Sequence, residues 1–138
     1  MPDWLSGLLT HPVVLLSVGG GAGANARYWF GLWAGRQQLR LLGAVEFPWG
    51  TFLINVFGSV VLGACAAAFL THPDPARRTW YLFLATGFCG GFTTFSTFSL
   101  EAFELLRDGR IGAATAYALG SVLAGVAGVA VAMRAMGK

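Results

Sequence analysis

Charged residues are scarce in this sequence. Asp, Glu, Lys and Arg together make up 11% of its 138 residues, whereas about 25% is typical of soluble domains. Apolar residues make up 56% of the chain, which also holds 20 glycines and 11 phenylalanines. So little charge excludes a water-exposed surface of ordinary polarity, and abundant glycine is typical of membrane helices. Length and composition therefore indicate a single-domain integral membrane protein.

Other absences exclude classes of chemistry. Cys65 and Cys89 both lie in apolar runs without metal-ligand spacing, so we interpret them as buried thiols. No basic cluster is larger than Arg77 with Arg78, which is too small for a nucleic-acid surface. The sequence also offers no pairing of a nucleophile with a base. We expect neither an enzyme nor a nucleic-acid-binding protein.

Four long apolar runs predict an all-α fold of four transmembrane helices, at about 12–33, 48–70, 80–105 and 111–134. Each run is close to the roughly 20 residues that cross about 30 Å of hydrocarbon. The first run does not fit a signal peptide, because no basic residue precedes its apolar core. We predict one multi-pass domain over the whole chain, embedded in a lipid bilayer.

The basic residues are evenly divided between the two predicted sides of the membrane. Arg77, Arg78, Arg134 and Lys138 fall on one side, and Arg36, Arg40, Arg107 and Arg110 on the other. The positive-inside rule needs an excess on one side. Two readings stay open: other details set the orientation, or copies insert both ways and pair antiparallel. Because four short helices have few side chains to enclose polar groups, which are costly in lipid, we expect a homodimer.

The third run carries the strongest local motif, GFCGGFTTFSTFS at residues 87–99. Adjacent glycines followed by two threonines are poor helix interior and predict a break in mid-span. Carbonyls freed by such a break can coordinate Na⁺. Beyond the break, Phe95 and Phe98 share a helix face, and hydroxyl side chains alternate with them. These hydroxyls belong to Ser96, Thr97 and Ser99.

Polar residues in the other runs add to this pattern. Asn55 lies deep in the second run, where its amide either lines a pore or bonds across a helix interface. Arg27 lies in the first run, where it either attracts anions or reaches the lipid headgroups. Tyr117 in the fourth run is placed to direct its hydroxyl toward the same polar seam. The glycine-rich segment at 19–23 indicates close helix packing, since a dinucleotide fingerprint requires a preceding strand.

Acidic residues are missing from most of the predicted membrane interior. Glu101 and Glu104 come only at the end of the third run. A proton-coupled exporter usually has a titratable group at mid-membrane. This absence argues against the main alternative, a small dimeric multidrug exporter. A second alternative is a non-transporting helper subunit, which would have no use for the Thr, Ser and Phe pattern.

Three segments together carry a family resemblance: GANARY at 23–28, GTFLIN at 50–55 and GGFTTFSTFS at 90–99. They resemble the Fluc family of fluoride channels, also called CrcB, and the match follows the order of all four runs. The resemblance implies a passive, fluoride-selective channel that expels toxic fluoride through a bacterial inner membrane. It also implies an antiparallel, dual-topology homodimer with two pores.

The resemblance further implies roles for individual residues. A central structural Na⁺ would be held by the backbone carbonyls of Gly90 and Thr93 of each subunit. Asn55 would donate to fluoride, and Phe95 and Phe98 would turn their ring edges to the ion path. The remaining members of the fluoride pathway would be Ser96, Thr97, Ser99, Tyr117 and the first-helix arginine, Arg27.

Overall fold

The computed structural model describes residues 3–43, 47–70 and 74–137, and within these ranges every regular element is a helix. Lys138, counted in the charge balance above, lies outside them. The helices are α1 (Asp3–Leu9), α2 (Pro12–Leu42), α3 (Trp49–Cys65), α4 (Pro75–Trp80), α5 (Gly90–Phe92), α6 (Phe95–Arg107) and α7 (Ile111–Ala135). Two π-helical stretches, Ala66–Leu70 and Tyr81–Cys89, continue α3 and α4. The all-α prediction is confirmed for these residues.

Helix α2 extends well beyond the predicted span at 12–33. It has 31 residues, about 46 Å at 1.5 Å per residue, which exceeds the thickness of a bilayer's hydrocarbon core. The apolar run ends near Trp33, but the following Gln, Leu and Arg residues favour a helix. The helix stops at Gly43, whose φ of 69° places it in the left-handed region.

Two of the predicted spans coincide with helices that could cross a membrane by length and composition. These are Trp49–Leu70, with a mean hydropathy of 2.2, and Ile111–Ala135, with 1.9. The first predicted span lies within α2, where Arg27 and several glycines lower the hydropathy. The third is divided among short segments. The fourfold crossing of the membrane stays a prediction.

The third predicted span is interrupted where the sequence predicts a break. Helix α5 ends at Phe92, and Thr93 and Thr94 are extended, with ψ values of 162° and 120°. Helix α6 then begins at Phe95, with Thr94 as its N-cap: the Thr94 hydroxyl accepts from the Thr97 amide at 3.2 Å. Thr is a favoured N-cap because its side chain replaces the missing helical acceptor. The predicted break is confirmed.

The helices pack as two close pairs, α3 against α7 and α2 against the π-helical stretch Tyr81–Cys89. In the second pair the backbones approach closely. A Cβ atom at Gly23 would overlap the carbonyl oxygen of Phe88, which explains the glycine there. Large apolar side chains such as Leu123 and Val126 of α7 are exposed on the outside of the chain.

Candidate functional site

A groove of about 450 Å³ runs along α3 and the break in the third span. Its apolar floor contains small residues of α3 and the π-helical stretch, and polar groups lie at the break. Five of the predicted site residues line this groove together: Asn55, Gly90, Thr93, Phe95 and Phe98. Helix α3, the broken helix and α7 therefore converge on one polar and aromatic site.

Asn55 holds the break from α3 through two hydrogen bonds. Its Nδ2 donates to the Thr94 carbonyl at 3.1 Å, and its Oδ1 accepts from the Thr94 amide at 2.9 Å. The side chain therefore pairs with the N–H and the C=O of one residue, Thr94, as a neighbouring strand would. Because the amide nitrogen carries two hydrogens, this pairing uses one of them and a second remains for a ligand.

The hydroxyls of the motif divide into two groups. Thr94 Oγ1 lies 3.0 Å from Thr97 Oγ1 and 3.3 Å from Ser96 Oγ, so these three hydroxyls form a cluster at the start of α6. Ser99 is different, because its Oγ donates to the Phe95 carbonyl of its own helix at 2.9 Å. The structure therefore brings Ser96 and Thr97 to the break but not Ser99, and none of the three lines the groove.

The two phenylalanines of the motif form a tilted pair. Their ring centroids are 5.7 Å apart with an interplanar angle of 36°. Phe98 is half-buried and lies 5.0 Å from the Tyr117 ring. Phe95 is 79% exposed on the single chain although it lines the groove. One wall of the groove is thus open to whatever packs against it.

Tyr117 lies in a polar network that was not predicted from the sequence. It is fully buried, and its hydroxyl donates to Glu101 Oε2 at 2.7 Å. Thr51 donates to Glu101 Oε1 at 2.9 Å. Glu101 was placed at the end of the third run, yet α6 continues to Arg107 and holds this carboxylate between α3 and α7. The spacing in the sequence could have indicated this position, because Glu101 follows Phe98 by three residues and so lies on the same face of a helix.

Ser121 is a second addition to the site. It lies one helical turn after Tyr117, lines the groove, and its buried Oγ has no hydrogen-bond partner among the described residues. Buried hydroxyls normally have a partner. This side chain is therefore available to a ligand in the groove.

Arg27 approaches the break from α2. Its side chain is half-buried, and one guanidinium nitrogen donates to the Thr93 carbonyl at 3.0 Å. It is absent from the groove lining, so the structure brings it to the break but not to the groove surface. Its predicted contact with the ion path stays a prediction.

The predicted Na⁺ ligands fit the chemistry of that ion. In a continuous helix the Gly90 carbonyl would accept from the Thr94 amide, which instead bonds to Asn55. The Thr93 carbonyl likewise loses its helical donor, the Thr97 amide, to Thr94 Oγ1. Both oxygens are thereby released from helical bonding, and neutral carbonyl oxygens suit a hard cation. No cluster of three or more His, Cys, Asp or Glu suited to a metal occurs within the described ranges.

The chain is thus a helical protein with a polar groove at a broken helix. Residues 14–133 match the family model described as CrcB-like protein, Camphor Resistance (CrcB). The chain is 45% identical over 116 residues to Fluoride-specific ion channel FluC 2 of Nitrobacter hamburgensis, covering 84% of this chain and 89% of that one. It is 47% identical to Fluoride-specific ion channel FluC of Methylobacterium nodulans, covering 84% and 88%.

A more distant relative, Fluoride-specific ion channel FluC of Phocaeicola vulgatus, is 39% identical, covering 85% of this chain and 91% of that one. The chain belongs to the CrcB-like family, also called Fluc. It is a membrane protein of an ion-channel family, and that family is not one of enzymes.

Proposed function

We propose that this chain forms a passive, fluoride-selective channel that lets toxic fluoride leave a bacterial cell across its inner membrane. The observation that carries the proposal is the groove at the break, where Asn55, Phe95 and Phe98 meet. The names of the relatives, fluoride-specific ion channels, agree with it.

The groove offers what a small, strongly hydrated anion needs. Water around fluoride has to be replaced by close hydrogen-bond donors, and the second Asn55 N–H and the Ser121 hydroxyl are of that kind. The hydrogen-bearing edges of Phe95 and Phe98 carry partial positive charge and add weak attraction. Ser96 and Thr97 extend the donors past the break, with Tyr117 beside Phe98. The Ser99 contact is the least supported, because that hydroxyl bonds to its own helix.

A second copy of the chain would close the open wall of the groove. Phe95 is 79% exposed although it lines the site, and large apolar side chains of α7 are exposed as well. Together with the even division of basic residues in the sequence, this supports an antiparallel, dual-topology homodimer with two pores. Each pore would combine the groove of one copy with a surface of its partner, and the outer faces would contact lipid.

The Gly90 and Thr93 carbonyls of both copies would hold a structural Na⁺ at the centre of this dimer. Two carbonyls from one chain do not complete the coordination shell of a cation, and the same two carbonyls of a second copy would bring the set to four. When bound, Na⁺ supplies a fixed positive charge that favours an anion in the interior. This chain's own contribution is the break itself, which Asn55 and Thr94 hold open.

A second candidate function, proton-driven export, gains one observation from the structure. Glu101 is a carboxylate inside the helix packing, where exporters keep such groups. Its two oxygens, however, already accept hydrogen bonds from Thr51 and Tyr117. We favour the passive channel, since this carboxylate is engaged by two side chains and does not line the groove.

Fluoride efflux from liposomes that contain the purified protein separates these candidates. We expect rapid efflux on a fluoride electrode without any proton gradient, and little efflux when chloride replaces fluoride. Efflux that requires a proton gradient, and that Glu101→Gln abolishes, would support the exporter. No efflux from well-folded dimers would contradict the channel proposal and leave the small multidrug exporter and the helper subunit as candidates.

A further inference from the structure

The Arg27 side chain bonds to the polypeptide backbone at the break. Its guanidinium donates to the Thr93 carbonyl at 3.0 Å, across 66 positions of sequence. A cation within a membrane span normally has a specific partner, and here that partner is a main-chain oxygen. A hydrogen bond from a charged donor is also stronger than one between neutral groups.

The Thr93 carbonyl needs this donor because the break has removed its helical one. The Thr97 amide, which would bond to it in a continuous helix, donates to Thr94 Oγ1 instead. The next residue, Thr94, is held in a matching way by Asn55, which bonds to both its amide and its carbonyl. Two helices, α2 and α3, therefore hold two successive residues of the break through one polar side chain each.

We propose that Arg27 is a positioning residue, which fixes the Thr93 carbonyl and thereby the start of α6 that carries Phe95. It does not act as a charge that gathers anions at a pore mouth. A carbonyl oxygen has two lone pairs, so Arg27 occupies one and directs the other, on which the proposed Na⁺ would depend. The effect on transport rests on the proposed channel function, whereas the bond itself does not.

One labelling scheme reports on both bonds directly. Thr93 and Thr94 form the only Thr-Thr pair in the sequence. Protein labelled with carbonyl-¹³C and amide-¹⁵N threonine therefore gives a single directly bonded ¹³C–¹⁵N signal in bilayers. Its carbon belongs to the carbonyl that accepts from Arg27, and its nitrogen belongs to the amide that donates to Asn55.

We expect Arg27→Gln to move the carbon coordinate upfield, because a carbonyl that loses a hydrogen bond becomes more shielded. Asn55→Ala should chiefly move the nitrogen coordinate. Arg36→Gln, at an exposed arginine of the same helix, is the matched control and should leave the signal in place. A carbon coordinate that is the same in Arg27→Gln and Arg36→Gln would overturn the proposal.

Ionic strength separates positioning from anion attraction in the efflux assay. Screening lengths fall from about 30 Å at 0.01 M to about 3 Å at 1 M salt, so an attraction at a pore mouth weakens while a hydrogen bond persists. We expect Arg27→Gln to slow fluoride efflux about tenfold at both ionic strengths. Arg27→Lys should recover only part of the rate, because an ammonium lacks the planar fork of donors.

A defect that disappears at high salt, together with full recovery in Arg27→Lys, would overturn the positioning role. If even the wild-type protein transports no fluoride, the channel proposal fails. The labelled carbonyl would still decide whether Arg27 fixes Thr93.

Discussion

The two helix pairs of this molecule are built on different principles. Helices α3 and α7 are continuous in the regions where they pack, strongly apolar, and joined by small and aliphatic side chains. The pair formed by α2 and the third predicted span is interrupted at Thr93 and Thr94, and polar side chains replace the lost helical bonds. The regular pair therefore supports the site and contributes Asn55 and Ser121 from continuous helices, while the interrupted pair contributes backbone groups that are released from helical bonding.

The largest effect is expected where a neighbouring helix holds the break. Asn55→Ala removes both bonds to Thr94 and leaves two backbone groups without partners. Each unpaired group should lower the free energy of unfolding by about 1–3 kcal/mol. We expect a loss of thermal stability in detergent and at least a tenfold loss of fluoride efflux. Asn25→Ala is the matched control, because the Asn25 side chain is exposed and bonds only to Gly21 of its own helix. Equal behaviour of the two variants would contradict this role of Asn55.

The next-largest effect is expected where α3 packs against the break. A Cβ atom at Gly58 of α3 would overlap Cγ2 of Thr93, so Gly58→Ala should displace the break and cost about 1–3 kcal/mol through overpacking. Gly50→Ala in the same helix adds only an ordinary contact, at 3.6 Å from Ala34 Cβ. Thermal denaturation of both variants measures the difference. A Gly58→Ala protein as stable and active as Gly50→Ala would show that the break tolerates displacement.

An intermediate effect is expected in the buried network between the two pairs. Tyr117→Phe removes the hydroxyl that donates to Glu101, so one carboxylate oxygen loses this hydrogen bond. The free energy of unfolding should fall by about 1–3 kcal/mol. Tyr28→Phe, at an exposed tyrosine, should leave the protein unchanged. Melting curves of the two variants provide the measurement. If both melt like the wild type, the Glu101 network contributes nothing to the packing of α6 and α7.

The smallest effects on stability are expected for two serines, Ser121 in the groove and Ser99 outside it. Ser121→Ala removes a buried hydroxyl that has no partner in the described chain, so stability should stay the same or rise while fluoride efflux falls. Ser99→Ala removes an exposed hydroxyl that bonds to its own helix, and should change stability by less than about 0.5 kcal/mol with efflux unchanged. If efflux falls in Ser99→Ala but stays at the wild-type rate in Ser121→Ala, the assignment of Ser121 rather than Ser99 to the groove is contradicted.

Local chemistry explains why the break was predictable. Two glycines followed by two threonines weaken a helix wherever they occur, and Thr94 brings its own N-cap. Asn55 could likewise be placed in the site, because an isolated amide in an apolar run needs a polar partner. For both features the signal lies in residues that are close in sequence, although the partner of Asn55 is 39 positions away.

The missed features depend on which helix faces meet. Nothing near Arg27 indicates that its partner is a carbonyl 66 residues away. Glu101 was not predicted as a site residue because it comes at the end of the third apolar run, and nothing near it in sequence indicates that Tyr117 of α7 lies opposite. The end of α2 was missed for a similar reason: apolar runs mark the membrane, whereas helices end at caps such as Gly43.

The central claim is that fluoride passes along the groove at the break, beside the exposed ring of Phe95. Fluoride efflux from liposomes with Phe95→Ile, compared with Phe103→Ile, tests it most directly. Both rings belong to α6 and both are exposed, but only Phe95 lines the groove. We predict that Phe95→Ile loses most fluoride efflux while Phe103→Ile keeps the wild-type rate. Wild-type efflux in both variants would contradict a path along this groove.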